Sequence, residues 1–305
     1  MHRGAIVGLG NVALNGHLPA WKKMPERFQI VAGVDSEAAR RDLFVQATPE
    51  ATCVNSLADL PPDLDFVDIC TPPHTDFELI LRALERGWNV LCEKPLVLAT
   101  WQLERVRQLA NEAARVVFTV HNWKFAPICR AVSGLIQSGV LGRVLHCDWQ
   151  VLRNGPSVTT DACNWRLDPR RAGGGILVDH GWHAFYLVLE WMGLKPCAVR
   201  ATLESRQYTD LEVEDTAVVS MKFAGAGPDT ATASIFLTWA SPQRRNQGTI
   251  RGSLAQLAIE DDALGLLRND GREEKFRFDG GLSSGSHHPD WFELVADEFA
   301  GELDD

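Results

Sequence analysis

The feature that most constrains this chain is the run Gly8-Leu9-Gly10-Asn11-Val12-Ala13, which follows a strand-like segment at Gly4–Val7 and opens a helical one. Glycine permits a tight turn out of a strand. Its missing side chain leaves room for a pyrophosphate at the helix N-terminus, where backbone N–H groups and the helix dipole favour an anion. Asp35 ends the second expected strand about 20 residues further on, where a carboxylate accepts hydrogen bonds from adenosine ribose hydroxyls. Gly8, Gly10, Asn11, Val12, Ala13, Asp35 and Ser36 together read as a dinucleotide fingerprint. The competing reading is a plain strand-turn-helix in which Asp35 or Ser36 serves as a helix cap. An acid at position 35 repels a 2′-phosphate and so favours NAD, while the Ser36 hydroxyl keeps NADP open as a donor to that phosphate.

From Arg3 to about Val120, β-branched runs alternate with amphipathic segments, as a parallel sheet of βαβ units requires. Strands are expected at Gly4–Val7, Gln29–Val34, Phe66–Cys70, Asn89–Cys92 and Val116–Val120, with helices at Glu37–Ala47, Asp76–Arg86 and Trp101–Ala114. After Asn122 the pattern changes. A helix over Pro127–Gln137 precedes Val144–Arg153, where Leu145, Cys147, Trp149 and Val151 alternate with polar residues as in a half-buried antiparallel strand. Period-two runs follow at Ala198–Glu204, Thr216–Phe223, Thr232–Trp239, Leu254–Glu260 and Lys275–Phe278, interrupted by a helix at His183–Met192. The expected fold is an α/β Rossmann dinucleotide-binding domain over residues 1–122, followed by an α+β domain over 123–305 with an open, mainly antiparallel sheet.

A chain of 305 residues is long enough for two cores. The longest apolar runs, such as Ile30–Val34, fall far short of the ~20 residues of a membrane span, and Met1-His2-Arg3 leads straight into a strand without a secretory pattern. The expectation is therefore a cytoplasmic protein with no membrane partner. The formal net charge of −10 and the lack of a Lys/Arg stripe argue against nucleic acid. Seven scattered cysteines (Cys53, Cys70, Cys92, Cys129, Cys147, Cys163 and Cys197), none in a Cys-x-x-Cys pair, read as reduced thiols.

Three further segments add to the fingerprint: Thr71-Pro72-Pro73-His74, Glu93-Lys94-Pro95, and Gly173-Gly174-Gly175 running on to Asp179-His180-Gly181-Trp182-His183. With them the chain resembles, over nearly its whole length, the glucose–fructose oxidoreductase and inositol dehydrogenase family (Gfo/Idh/MocA). The resemblance implies that Lys94 is the active-site lysine, that Pro95 follows a cis peptide bond, and that Asp179 and His183 complete the catalytic group. It also implies that Thr71, Pro72, His74 and Glu93 border the nicotinamide, and that Asn122 is the family's inter-domain asparagine. Lys124 stands where an arginine is usual, and the chain ends sooner after Asp297-Glu298-Phe299 than similar proteins do.

The residue types suit oxidation of a secondary alcohol. That reaction needs a proton acceptor near neutrality and a cation beside the oxygen, which His183 and Lys94 supply. Asp179, four residues before His183, would share its face on a continuous helix and orient the imidazole or bind a substrate hydroxyl. His180 should point elsewhere. A metal pair made of Asp179 and His183 is the weaker reading, since no third ligand stands at a suitable spacing. Trp165 and Arg166 are expected to line the substrate cavity, with a plain surface loop as the alternative. The substrate would be a small molecule, a sugar or cyclitol. The alternatives are a silent relative that binds a dinucleotide or ligand as sensor or scaffold, and a reductase of a non-sugar substrate. Finally, Ala217, Val219, Met221 and Phe223, with Ala233, Ile235, Leu237 and Trp239, form an apolar sheet face whose cover is expected from a homodimer or homotetramer.

Overall fold

The computed structural model describes residues 1–157, 164–224 and 230–304, so Cys163 lies outside the described residues. The chain divides into two compact units. The first holds Met1–Asn122, residues 164–165 and the stretch from His287 onward, and the second runs from Trp123 and over Arg166–Ser286.

In the first unit β1 (His2–Val7) leads through the glycine turn into a helix that contains one π turn, Ala13–His17, before continuing as α1 (Leu18–Lys22). There follow β2 (Phe28–Val34), α2 (Ala38–Ala47), β3 (Thr52–Val54), β4 (Phe66–Ile69), α3 (Pro73–Glu85), β5 (Asn89–Cys92), α4 (Thr100–Ala113) and β6 (Val117–Thr119). The sheet order is β3-β2-β1-β4-β5-β6, with every pairing parallel. The order therefore reverses between β1 and β4, and it is beside such a switch, at the carboxyl ends of the strands, that open α/β sheets bind ligands. Ala5, Val7, Val67, Ile69, Val90 and Cys92 are buried in the sheet against Ile80, Ala83 and Leu84 of α3.

The second unit comprises α5 (Pro127–Gln137), β7 (Val144–Leu152), α6 (Pro169–Ala172), α7 (Ile176–Asp179), α8 (Gly181–Met192) and seven more strands. These are β8 (Pro196–Glu204), β9 (Thr216–Phe223), β10 (Ala231–Thr238), β11 (Arg245–Gly252), β12 (Ala255–Glu260), β13 (Ala263–Arg268) and β14 (Glu273–Arg277). The sheet order is β14-β13-β12-β11-β7-β10-β9-β8, antiparallel except where β7 meets β10. Three strands, β3, β11 and β13, go beyond the sequence expectation.

Two differences from expectation concern what covers what. The last helix, α9 (Pro289–Asp304), goes beyond the sequence expectation and belongs to the first unit. Its apolar face meets the aromatic residues of the Rossmann sheet: Phe292 lies edge-on to Trp21 at 5.2 Å, and Phe299 edge-on to Phe66 at 5.5 Å. His288 stacks on Trp291 at 3.5 Å. Secondly, the apolar sheet face expected to need a partner chain is already buried. Ala217, Val219, Met221, Phe223, Ala233, Ile235, Leu237 and Trp239 are all at most 4% exposed. Helix α8 crosses β7 and β10 on that face, with Trp191 edge-on to Trp149 at 5.2 Å, and α5 packs beside α8. Both edge strands, β14 and β8, stay exposed, and on β8 Val199 and Leu203 are 61% and 50% exposed.

Candidate active site

The glycine turn is built as its sequence requires. Gly8 has φ +88, and a Cβ there would stand 2.7 Å from Cγ2 of Thr71 and 3.0 Å from the Cys70 carbonyl, so only glycine fits where β1 and β4 part. A Cβ on Gly10 would meet nothing nearer than the Arg40 guanidinium at 3.9 Å, which leaves the approach to the helix N-terminus open for a phosphate. Asn11 is exposed, Val12 half-buried and Ala13 buried. Asp35 is 7% exposed at the end of β2. Its carboxylate accepts the Leu9 N–H at 2.8 Å and the Glu37 N–H at 2.9 Å, and Nη1 of Arg40 lies 3.7 Å away. Asp35 thus fastens the glycine turn, and the N-cap of α2 is Glu37. Ser36 beside it is exposed.

The other cofactor-side residues fall on the carboxyl ends of β4 and β5. Thr71 donates to Asp76 at 2.6 Å, whose carboxyl burial pushes well up; Pro72 caps α3, and His74 is exposed in its first turn. Glu93 and Lys94 follow β5, and the Lys94–Pro95 peptide is cis. One Glu93 oxygen accepts the Lys94 N–H at 3.1 Å and the other lies 3.2 Å from Nε2 of His17. Burial alone would push the Glu93 carboxyl up, but the hydrogen bond and charge of His17, with Lys94, hold it below the usual carboxylate value. Asn122 begins the 3-10 turn Asn122–Phe125.

In the second unit the glycine run is shaped by Glu214, a residue the sequence did not flag. Its carboxylate accepts the Gly175 N–H at 2.8 Å and the Leu177 N–H at 3.0 Å, and a Cβ on Gly175 would overlap the Glu214 carbonyl oxygen. The turn ends in α7, and the chain breaks at His180 before α8 begins at Gly181. The continuous helix that would have put Asp179 and His183 on one face is therefore not formed. Instead Asp179 lies 3.4 Å from Nε of Arg166 and 3.0 Å from Nδ1 of His180, so His180 points at Asp179 and not elsewhere.

His180 is set in turn by Arg153, which is 1% exposed. The Arg153 Nε–H donates to Nε2 of His180 at 3.0 Å, which puts the proton of a neutral imidazole on Nδ1, facing Asp179. The remaining Arg153 donors reach Asn246 Oδ1 at 3.1 Å and the carbonyls of Leu152 and Arg245. Burial, then the neighbouring Arg244, pull the Arg153 pKa down to about 9. His183 is 7% exposed, stacks on Trp123 at 4.3 Å and shares a hydrogen bond of 2.9 Å between Nδ1 and the Tyr186 hydroxyl. That hydroxyl also accepts the Trp123 N–H at 2.9 Å. Trp165 and Arg166 are half-buried in the turn Trp165–Leu167.

The structure thus groups the predicted cofactor residues on one sheet edge of the first unit, and Arg166, Asp179 and His183 around the α7–α8 junction of the second. His17, Asp68, Arg153, Tyr186 and Glu214 were not foreseen. Each is a polar side chain whose partner is distant in sequence, and only a buried histidine or arginine flanked by apolar residues would have hinted at them.

Residues 2–121 match the family model described as an oxidoreductase family with an NAD-binding Rossmann fold, and residues 129–258 match the GFO/IDH/MocA C-terminal domain. An oxidoreductase of Schizosaccharomyces pombe is 30% identical over 220 residues, covering 69% of this chain and 57% of that protein. A 2,7-anhydro-N-acetylneuraminate hydratase of Mediterraneibacter gnavus is 28% identical over 89% of this chain and 71% of its own length. Levoglucosan dehydrogenase of Pseudarthrobacter phenanthrenivorans is 30% identical over 51% of this chain and 40% of its own. The chain spans little more than half the length of the first relatives, 57% and 54%. Among solved structures, levoglucosan dehydrogenase with NADH and levoglucosan superposes with TM-score 0.83 at 18% identity, covering 99% of this chain and 90% of that one. An Agrobacterium radiobacter oxidoreductase with NAD+, L-tartaric acid and magnesium gives 0.83 at 19%, covering 99% and 88%. The first unit of this chain is an NAD-binding Rossmann domain, and the chain belongs to the Gfo/Idh/MocA oxidoreductase family.

Proposed function

We propose that the chain is an NAD(P)-dependent dehydrogenase that interconverts a secondary alcohol of a sugar or cyclitol and the corresponding ketone. The observation that supports this reading is where the two required residue types stand, each in its own unit. Lys94 stands at the carboxyl edge of the sheet, next to the glycine turn's β1–β4 switch, and His183 is clamped by a ring stack and a tyrosine hydroxyl. The likeness to levoglucosan dehydrogenase supports the substrate class.

Bound NAD supplies the hydride acceptor. The residues do the rest. The Lys94 ammonium hydrogen-bonds the reacting oxygen and stabilises negative charge as it develops. His183 takes the hydroxyl proton; with Nδ1 committed to Tyr186, exchange runs through Nε2. Asp179, held by Arg166 and His180, binds a neighbouring hydroxyl, and Trp165 and Arg166 line the substrate. Gly8, Gly10, Asn11, Val12 and Ala13 would hold the pyrophosphate and Asp35 the ribose, with Ser36, Thr71, Pro72, His74, Glu93, Lys94 and Asn122 completing the cofactor contacts. A panel of sugars and cyclitols with NAD and with NADP, followed by absorbance of the reduced nicotinamide, tests the proposal. Turnover of none of them, by a protein that binds dinucleotide, favours the silent-relative reading.

NAD is expected to bind more tightly than NADP, because the Asp35 carboxylate meets a 2′-phosphate. Asp35→Asn removes the charge and keeps an acceptor oxygen for one of the two backbone N–H groups, which bond separate carboxylate oxygens; it should narrow the gap by about tenfold, or ~1.4 kcal/mol. Calorimetric titration with both dinucleotides reads this; equal affinities in the unmodified protein contradict it.

A homodimer or homotetramer is proposed on different grounds from the covered sheet face. Strand β8 is exposed along its whole length, and an uncovered edge carrying Val199 and Leu203 is a ready pairing surface. Light scattering at micromolar concentration should give two or four times the 33.7 kDa chain mass, and a single-chain mass rejects it.

A further inference from the structure

Beneath the glycine turn lies a buried group of charges that the hydride-transfer chemistry does not itself use. His17, at the end of the π turn, is 1% exposed, and Asp68 on β4 is fully buried. Nδ1 of His17 lies 2.9 Å from Oδ2 of Asp68, and Nε2 lies 3.2 Å from Oε1 of Glu93. Trp21 donates to the same Asp68 oxygen at 2.8 Å, and Phe292 stacks on the imidazole at 3.7 Å. Each ring nitrogen thus faces a carboxylate, an arrangement that only a doubly protonated imidazolium satisfies at both ends.

The three donor atoms of His17, Asp68 and Cys70 are close enough together to suggest a metal. The geometry is that of shared protons instead. Ring nitrogen and carboxylate are at hydrogen-bond distance, the Cys70 sulfur is 3.2 Å from the same nitrogen, and burial with the charges of Asp68 and Glu93 keeps the Cys70 thiol protonated.

Glu93 is the link to the chemistry, since its second oxygen accepts the backbone N–H of Lys94. We propose that His17 is a positioning residue for Lys94: its imidazolium ties Glu93 to Asp68 on the sheet, and Glu93 fixes the start of the Lys94 side chain. The proposal rests on the reading that Lys94 touches the reacting oxygen, so its test includes a readout independent of turnover. Among the described residues, the titratable groups facing His17 are Asp68 on β4, Cys70 just after it and Glu93 just after β5; Cys92 and Asp76 act on Glu93's surroundings, and α9 contributes the apolar Phe292.

The test is the pH profile of Lys94 acylation, read by peptide mass spectrometry in the unmodified protein and in His17→Gln, with Lys22 and Lys23 as internal controls. The variant's single amide reaches one carboxylate only. The expected result is a displacement of the Lys94 profile by about half a pH unit or more with the control lysines unmoved. With a substrate in hand, kcat should fall about tenfold or more while KM and NAD affinity stay within about twofold. A folded variant with an unchanged Lys94 profile overturns the proposal, whether or not any substrate turns over. Should His17→Gln not fold, the unmodified protein decides: the NMR titration of the His17 ring and an inflection in Lys94 reactivity must share a midpoint, and separate midpoints overturn the coupling. Loss of turnover in every assay, with the Lys94 profile displaced, counts against the dehydrogenase reading and not against the positioning.

Discussion

Lys94→Met and His183→Asn, made singly, are each expected to lower turnover by ~10²–10⁴-fold, the usual effect of removing a positioned proton-transfer or charge-stabilising group. Folding should suffer far less. Methionine keeps most of the half-buried Lys94 stem and deletes only the ammonium. Asparagine at 183 keeps a polar group near the Tyr186 hydroxyl but loses the stack on Trp123, worth about 1 kcal/mol. A rate loss of that size corresponds to ~3–5 kcal/mol of transition-state stabilisation, so the two effects separate on measurement. Melting temperature, NAD affinity and kcat/KM on the substrate found by the panel would be compared for each variant. Near-native turnover by a folded, NAD-binding variant removes the assigned role.

How much of this could be read from sequence depended on whether a signal was local. The glycine turn, Asp35 and the strands of the parallel sheet are stretches of a few residues whose chemistry sits side by side, and the β9 and β10 alternations put their apolar residues on one face as the structure has them. Strand β11 escaped notice because its sequence, Arg-Asn-Gln-Gly-Thr-Ile-Arg-Gly, is paired on both sides while presenting almost no apolar alternation; only Asn246 and Ile250 are fully buried. Helix α9 carried a legible stripe, Trp291, Phe292, Val295, Ala296 and Phe299, and its place on the Rossmann sheet follows from aromatic partners in the first 120 residues. The sheet face assigned to a partner chain was correct in parity and wrong in cover, because the reach of α8 and α5 across a sheet is a tertiary fact. The same holds for Asp179. The i,i+4 spacing to His183 presumed a helix that breaks at His180, whose imidazole is aligned by an arginine 27 positions away. His17, Asp68 and Glu93 are distant in sequence for the same reason, and their coupling has a thermodynamic consequence.

Stability is expected to fall as pH rises from about 6 to about 9, by on the order of 3 kcal/mol, through His17. Burial by itself would lower its pKa, but the charge and hydrogen bond of Asp68, with those of Glu93, outweigh that and raise it from 6.5 to about 9. A folded-state value above the unfolded one means the folded protein holds the proton more tightly. The contribution is therefore complete below the unfolded value and is lost as pH climbs through the folded one, at ~1.4 kcal/mol for each pH unit that separates the two. Groups with lowered acid values, Glu93 and Asp215, are ionised in both states across this window and add no slope. The buried thiols Cys129 and Cys147, pushed up by burial, act in the same direction as His17 but only above the ordinary thiol value, and Asp76 shares that sign at lower pH. Urea unfolding at pH 6, 7.5 and 9 for the unmodified protein and His17→Gln separates the His17 share, since the variant should lose markedly less stability over the interval. Parallel losses in the two proteins would mean that His17 does not carry a proton into the fold.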